Sequence, residues 1–137
     1  MDAPTASLTR ILQPEGWPRP KGYANGVSAQ GRLIVTAGLV GWDTQGKFQA
    51  GFVAQLRQTL QNTVEVLNAG GAAPEHIVRM TWYIVDRQQY LGSLAEIGQT
   101  YREIIGKVFP AMAVVQVSGL VEAEALLEIE TMAVVPN

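Results

Sequence analysis

The 137-residue chain contains no cysteine and a single histidine, His76. Without cysteine there is no disulfide, no thiolate nucleophile and no sulfur metal site. One histidine rules out a multi-histidine metal cage and leaves no Ser-His-Asp relay that stands out from chance. Charge is scarce as well: charged residues are 16% of the chain, the formal net charge is -2, and the ten Lys and Arg residues are scattered. That distribution gives no basic footprint for a nucleic acid. No apolar run approaches the roughly 18 residues of a membrane span. Met1-Asp2-Ala3-Pro4 lacks the basic start and apolar core of a secretory signal. The expectation is a soluble, cytoplasmic protein with no membrane and no nucleic-acid partner. Its chemistry must rest on carboxylates, tyrosines, lysines, backbone groups and water.

Hydrophobic residues make up 47% of the chain. A length of this order is one domain, here residues 1–137, and so apolar a domain is expected to turn part of its surface towards another subunit. Residues 1–20 carry Pro4, Pro14, Pro18 and Pro20 and should be irregular apart from a short strand through Leu8–Leu12. Tyr23–Val27 and Leu33–Ala37 flank a turn-like Ser28–Gly31 and read as an antiparallel hairpin. Val53, Leu56, Leu60, Val64 and Leu67 recur at helical spacing up to Gly70-Gly71. Ile77–Val85 has strand composition, and Leu91, Leu94, Ile97, Tyr101 and Ile104 or Ile105 then repeat the helical period as far as Gly106. Val114–Ser118 and Leu126–Val135 supply two last strands. This order predicts an α+β fold, a mixed sheet with two helices on one face. The other face then needs cover, which self-association provides.

Two tracts are distinctive: Phe109-Pro110-Ala111-Met112-Ala113-Val114-Val115-Gln116-Val117, and Leu126-Leu127-Glu128-Ile129-Glu130. With Gly22–Val27, Ile34–Gly38, the spacing of Gln55, Leu60 and Asn62, and His76–Thr81, they resemble in order and spacing the RidA/YjgF reactive-intermediate deaminases, from about Lys21 to Val135. The resemblance implies a single RidA-like domain with a chorismate-mutase-like fold. It further implies a homotrimeric barrel with sites at the subunit interfaces, a small-molecule substrate, and neither cofactor nor metal.

It also assigns candidate residues. Glu128 matches the carboxylate that handles water at a carbon–nitrogen double bond, and Tyr23 matches a tyrosine at the mouth of the site. Gly38 and Leu39 offer backbone for close approach to a ligand, and Trp42 is a candidate wall. Each has a plainer reading, in packing or at a strand end. On a strand Glu128 and Glu130 share a face with Leu126, Met132 and Val134; Glu130 is read as structural. Met112 stands where the family pattern has arginine, Val114 where cysteine is frequent, and Gly98 near a frequent asparagine. A thioether cannot imitate a two-pronged guanidinium grip, and losing such an anchor costs a carboxylate substrate on the order of 2–5 kcal/mol. A neutral or apolar ligand is therefore expected, with Arg10, Arg79, an arginine from a neighbouring subunit, Lys21 and Lys107 as the cations that could restore the charge. His76 reads as an exposed loop residue, and Asp43, Glu122 and Glu124 as loop charges without metal-site spacing.

Two functions follow. One is an enamine or imine deaminase with an altered substrate, of aminomuconate type or similar, releasing a carbonyl compound and ammonia. The alternative is a non-catalytic trimer that binds a small metabolite or a client protein. Nuclease or translation-inhibitor activity, a third reading attached to the resemblance, lacks a basic groove.

Overall fold

A computed structural model describes residues 9–137; Pro4 and Leu8 of the expected N-terminal segment lie outside the described residues. The described elements are β1 (Thr9–Leu12), β2 (Gly26–Ala29), β3 (Arg32–Val35), α1 (Phe52–Ala69), β4 (Ile77–Ile84), α2 (Arg87–Leu91), α3 (Leu94–Ile104), β5 (Ala111–Gln116) and β6 (Leu127–Val135). A four-stranded sheet runs β3-β6-β4-β5, with β4 and β5 parallel and the other pairs antiparallel, and β1-β2 form a separate two-stranded ribbon. The architecture is the mixed α+β sheet expected from the pattern. No helix among the described residues is long and apolar enough to cross a membrane.

Helix α1 lays Phe52, Leu56, Leu60 and Leu67 on the sheet, and α3 adds Ile97 and Tyr101. From below they meet Met80, Trp82 and Ile84 of β4 and Leu127, Ile129 and Ala133 of β6. Alternation along β6 is strict over its first seven residues: 127, 129, 131 and 133 are buried, while Glu128, Glu130 and Met132 are not. Burying Leu56, Leu60, Met80, Leu127 and Ile129 completely stabilises the fold by roughly 1.5–3 kcal/mol per side chain. Trp82 packs on Tyr101 and Tyr90, with ring centroids 6.3 and 6.5 Å away.

Three expectations need correction. The hairpin does not form: β2 pairs with β1, and β3 pairs with β6 instead. Gly31 explains the switch. Its φ is 147°, and a Cβ there would run into the Val135 carbonyl, so the chain at this turn is pressed against the end of β6 rather than against β2. The second helical stretch is two helices, because the chain breaks at Gly92-Ser93 between α2 and α3. And β5 starts at Ala111, three residues before the expected Val114, since its backbone is in register with Arg79 of β4 despite the weak strand preference of Ala-Met-Ala.

Tyr101 links this core to pH. Its hydroxyl donates to the Val108 carbonyl at 2.6 Å, and burial pushes its pKa well up; burial raises that of Tyr90 too. Above about pH 10 the unfolded chain loses phenol protons that the folded chain keeps, so stability present below that pH should fall as pH rises. Urea unfolding at about pH 8 and about pH 11 should show this decline, and Tyr101→Phe should flatten it while costing about 1 kcal/mol at the lower pH. An equally steep decline in the variant would remove Tyr101 from the account.

Candidate active site

Beyond β3 the chain turns along β6. Leu39 exchanges both backbone hydrogen bonds with Ile129, each 2.9 Å long, which sets Gly38 beside Glu128. A Cβ at Gly38 would lie 2.7 Å from the Glu128 Cδ and 3.0 Å from its Cγ, so the carboxylate occupies space that only glycine leaves open. The loop is then held from α1. Asn62 Nδ2 donates to the Val40 and Trp42 carbonyls at 3.0 and 2.8 Å, and Gly41 abuts Gln55. Gln55, 4% exposed, donates to the Gln49 and Glu124 carbonyls and accepts from the Leu126 N–H. The Gln and Asn of the α1 motif are thus positioning residues: they fasten the two segments that flank Glu128.

Glu128 is half-buried and makes no hydrogen bond to a described residue. Its neighbour is engaged: Tyr83 Oη donates to Glu130 Oε1 at 2.6 Å. That hydrogen bond leads the causes that raise the Tyr83 pKa, followed by lost hydration and the two carboxylates, against a small opposing effect of Arg79. The environment therefore divides the pair. Glu130 is tied to a phenol, and Glu128 has its acceptor positions free for water.

The other candidates gather elsewhere. Tyr23, Met112 and Val114 line a cavity of about 410 Å³ with Trp82, Tyr101 and Gly98. Met112 and Val114 stand opposite Met80 and Trp82 and so look to the helix side of the sheet. Glu128 is paired with Tyr83 and looks to the other side. Gly38 and Leu39 accompany Glu128; Trp42 lies in the loop beyond, its ring 5.7 Å from that of Phe48. Within one subunit the sheet separates the carboxylate from the cavity.

The cations also differ from expectation. Neither Arg10 nor Arg79 lines the cavity; Lys21 and Arg102 do. Arg102 was not among the sequence candidates. It sits one helical turn after Gly98, and a Cβ at Gly98 would be 3.2 Å from its Nη1, so the guanidinium lies over the bare backbone. A glycine inside a helix costs about 0.5–1 kcal/mol relative to alanine. Lys107 lines a second cavity of about 390 Å³, which shares Gly22, Tyr23 and Phe109 with the first. His76, expected to be exposed, is half-buried, and its Nδ1 accepts from the Ala73 N–H at 2.9 Å. No group of three or more His, Cys, Asp or Glu able to hold a metal occurs among the described residues.

Comparison with known proteins gives one consistent picture. The family model described as Endoribonuclease L-PSP matches residues 18–135. A RutC family protein of Pyrococcus horikoshii is 30% identical over 129 residues, covering 92% of this chain and 98% of its own. A 2-iminobutanoate/2-iminopropanoate deaminase of Escherichia coli K12 is 30% identical over 132 residues, covering 93% and 98%. Among solved structures, YyfB of Yersinia pestis, a Rid family protein of unknown function, superposes with a TM-score of 0.82 at 32% identity, covering 93% of this chain and 99% of its own.

Proposed function

We propose that this chain, which belongs to the Endoribonuclease L-PSP family together with the RutC and Rid proteins, is an imine or enamine deaminase working as a cytoplasmic homotrimer. The observation that carries this reading is Glu128, seated over Gly38 with free acceptor positions while Glu130 is held by Tyr83. The deaminase of Escherichia coli, similar over nearly the whole chain, supports the reaction class.

Hydrolysis of an imine needs a water aimed at the carbon and a proton for the nitrogen. Glu128 accepts a proton from water as the water oxygen bonds to the carbon of C=N and passes it to the nitrogen, giving a carbinolamine. It then takes the carbinolamine hydroxyl proton and delivers it to the nitrogen as the C–N bond breaks, and the carbonyl compound and ammonia leave. The sum is one imine plus one water. The cavity bearing Tyr23, Met112 and Val114 holds the organic part of the substrate. Because that cavity and Glu128 lie on opposite faces of the sheet, the complete site forms between neighbours, one subunit giving the carboxylate and the next the cavity. The sheet face carrying Leu33, Val35, Met132 and Val115, all more than 40% exposed, is the surface that association would cover.

Ammonia release from freshly generated 2-iminopropanoate, from a neutral imine and from a conjugated aminomuconate-type enamine tests the reaction. Turnover above the buffer rate is expected for at least one, and none for any would overturn the deaminase reading. The absence of arginine and cysteine at Met112 and Val114 favours a second reading, a trimeric binder without turnover; tight ligand binding with no turnover by the parent protein would establish that one instead.

A further inference from the structure

We infer that Arg102 is the anion anchor of the cavity, gripping a substrate carboxylate from α3 in place of the cation that β5 lacks at Met112. The inference rests on the reading of this cavity as the substrate site. Its consequence is a correction of substrate class. A pocket that had lost its charged anchor was expected to take neutral ligands, whereas this one suits an anion with an apolar, conjugated body.

Three observations point the same way. First, of the ten Lys and Arg residues, Lys21 and Arg102 line the cavity and Arg19 and Lys107 line its neighbour, while no Asp or Glu of the same subunit lines either. On a chain of net charge -2, that concentration focuses positive potential on one mouth. Second, Arg102 has no ion pair with a described residue: the adjacent acid, Glu103, is engaged by Arg57 at 2.9 Å. Third, a Cβ at Gly98 would lie 3.2 Å from the Arg102 Nη1, so the bare backbone there leaves the guanidinium its present place. Arg102 suits the task better than Lys21. Its planar fork matches both carboxylate oxygens, and it projects from a helix, whereas Lys21 lies between Pro20 and Gly22 outside any helix or strand. The floor, formed by Met112, Val114, Phe109 and Tyr101, accepts a flat hydrocarbon chain. A concavity of this size fits a small acid rather than a polymer.

The test uses hexa-2,4-dienoate and its uncharged amide, neither of which is an imine, so binding is read apart from turnover. Calorimetry should show the parent preferring the carboxylate by about tenfold or more, and Arg102→Gln should abolish that preference. Gly98→Ala gives a second readout: it should raise the melting temperature, as alanine does within a helix, while the preference for the carboxylate stays, because the guanidinium has to give only slightly. Arg102→Lys should keep part of the preference. An unchanged preference in Arg102→Gln, no preference in the parent, or binding of neither probe at millimolar concentration would overturn the anchor. If the preference holds and no imine is hydrolysed, the deaminase reading fails and the anion site stands.

Discussion

Glu128→Gln should lower imine turnover by about 10²–10⁴-fold, the range expected when a positioned acid–base group is lost. The exchange keeps shape and hydrogen-bonding reach but cannot take a proton from water. Substrate binding should change far less, so the loss belongs in kcat. The seat can be tested as well as the group. Gly38→Ala retains the carboxylate but puts a methyl into the space of its Cγ and Cδ, so it too should cut kcat, with Glu128 still present. Steady-state kinetics on the best substrate found for the parent checks both. A Glu128→Gln protein with parental kcat would remove Glu128 from the reaction, and Glu130→Gln is the comparison that shows whether the other carboxylate acts in its stead.

The second large effect concerns assembly. Val35, 56% exposed, lies opposite Met132, 44% exposed, on the face turned away from the helices. Val35→Glu leaves a subunit whose core is untouched, so its circular dichroism should match the parent. In a trimer it would bring a carboxylate from each subunit into an apolar contact, and removing each from water carries a penalty of about several kcal/mol. Sedimentation velocity should therefore find monomers at micromolar concentration, and deamination should vanish with the trimer because cavity and carboxylate no longer meet. A trimer of parental mass and activity would show that this face is not the contact.

The parts of the fold visible in the sequence are those where periodicity and burial coincide. Helix α1 was legible because Leu56, Leu60 and Leu67 are among its fully buried positions, and β6 because its alternation is nearly unbroken. The misplaced hairpin has a different cause. Ser28–Gly31 looks like a turn and is one, but pairing partners are chosen by tertiary contact, and Gly31 sits against Val135, more than a hundred residues on. The site shows the same division. Family spacing pointed to Glu128 and Gly38 as candidates, and the structure places them in contact. That Met112 and Val114 face away from Glu128 follows from the parallel register of β5 on β4, which no local pattern encodes. That Arg102 lines the cavity was not legible, because an arginine on the polar side of an amphipathic helix looks like any solvated cation; the one local signal was Gly98, four residues earlier within the helix.

The position of β6 has a consequence for how the protein is made. It follows every other described element in the chain, yet it lies between β3 and β4 and is the only strand joined to both. While the chain is being synthesised, β4 can pair with β5 and the helices can begin to pack, but β3 has no neighbour in the sheet until β6 arrives. Such distant pairing slows folding and leaves strand edges open in the meantime.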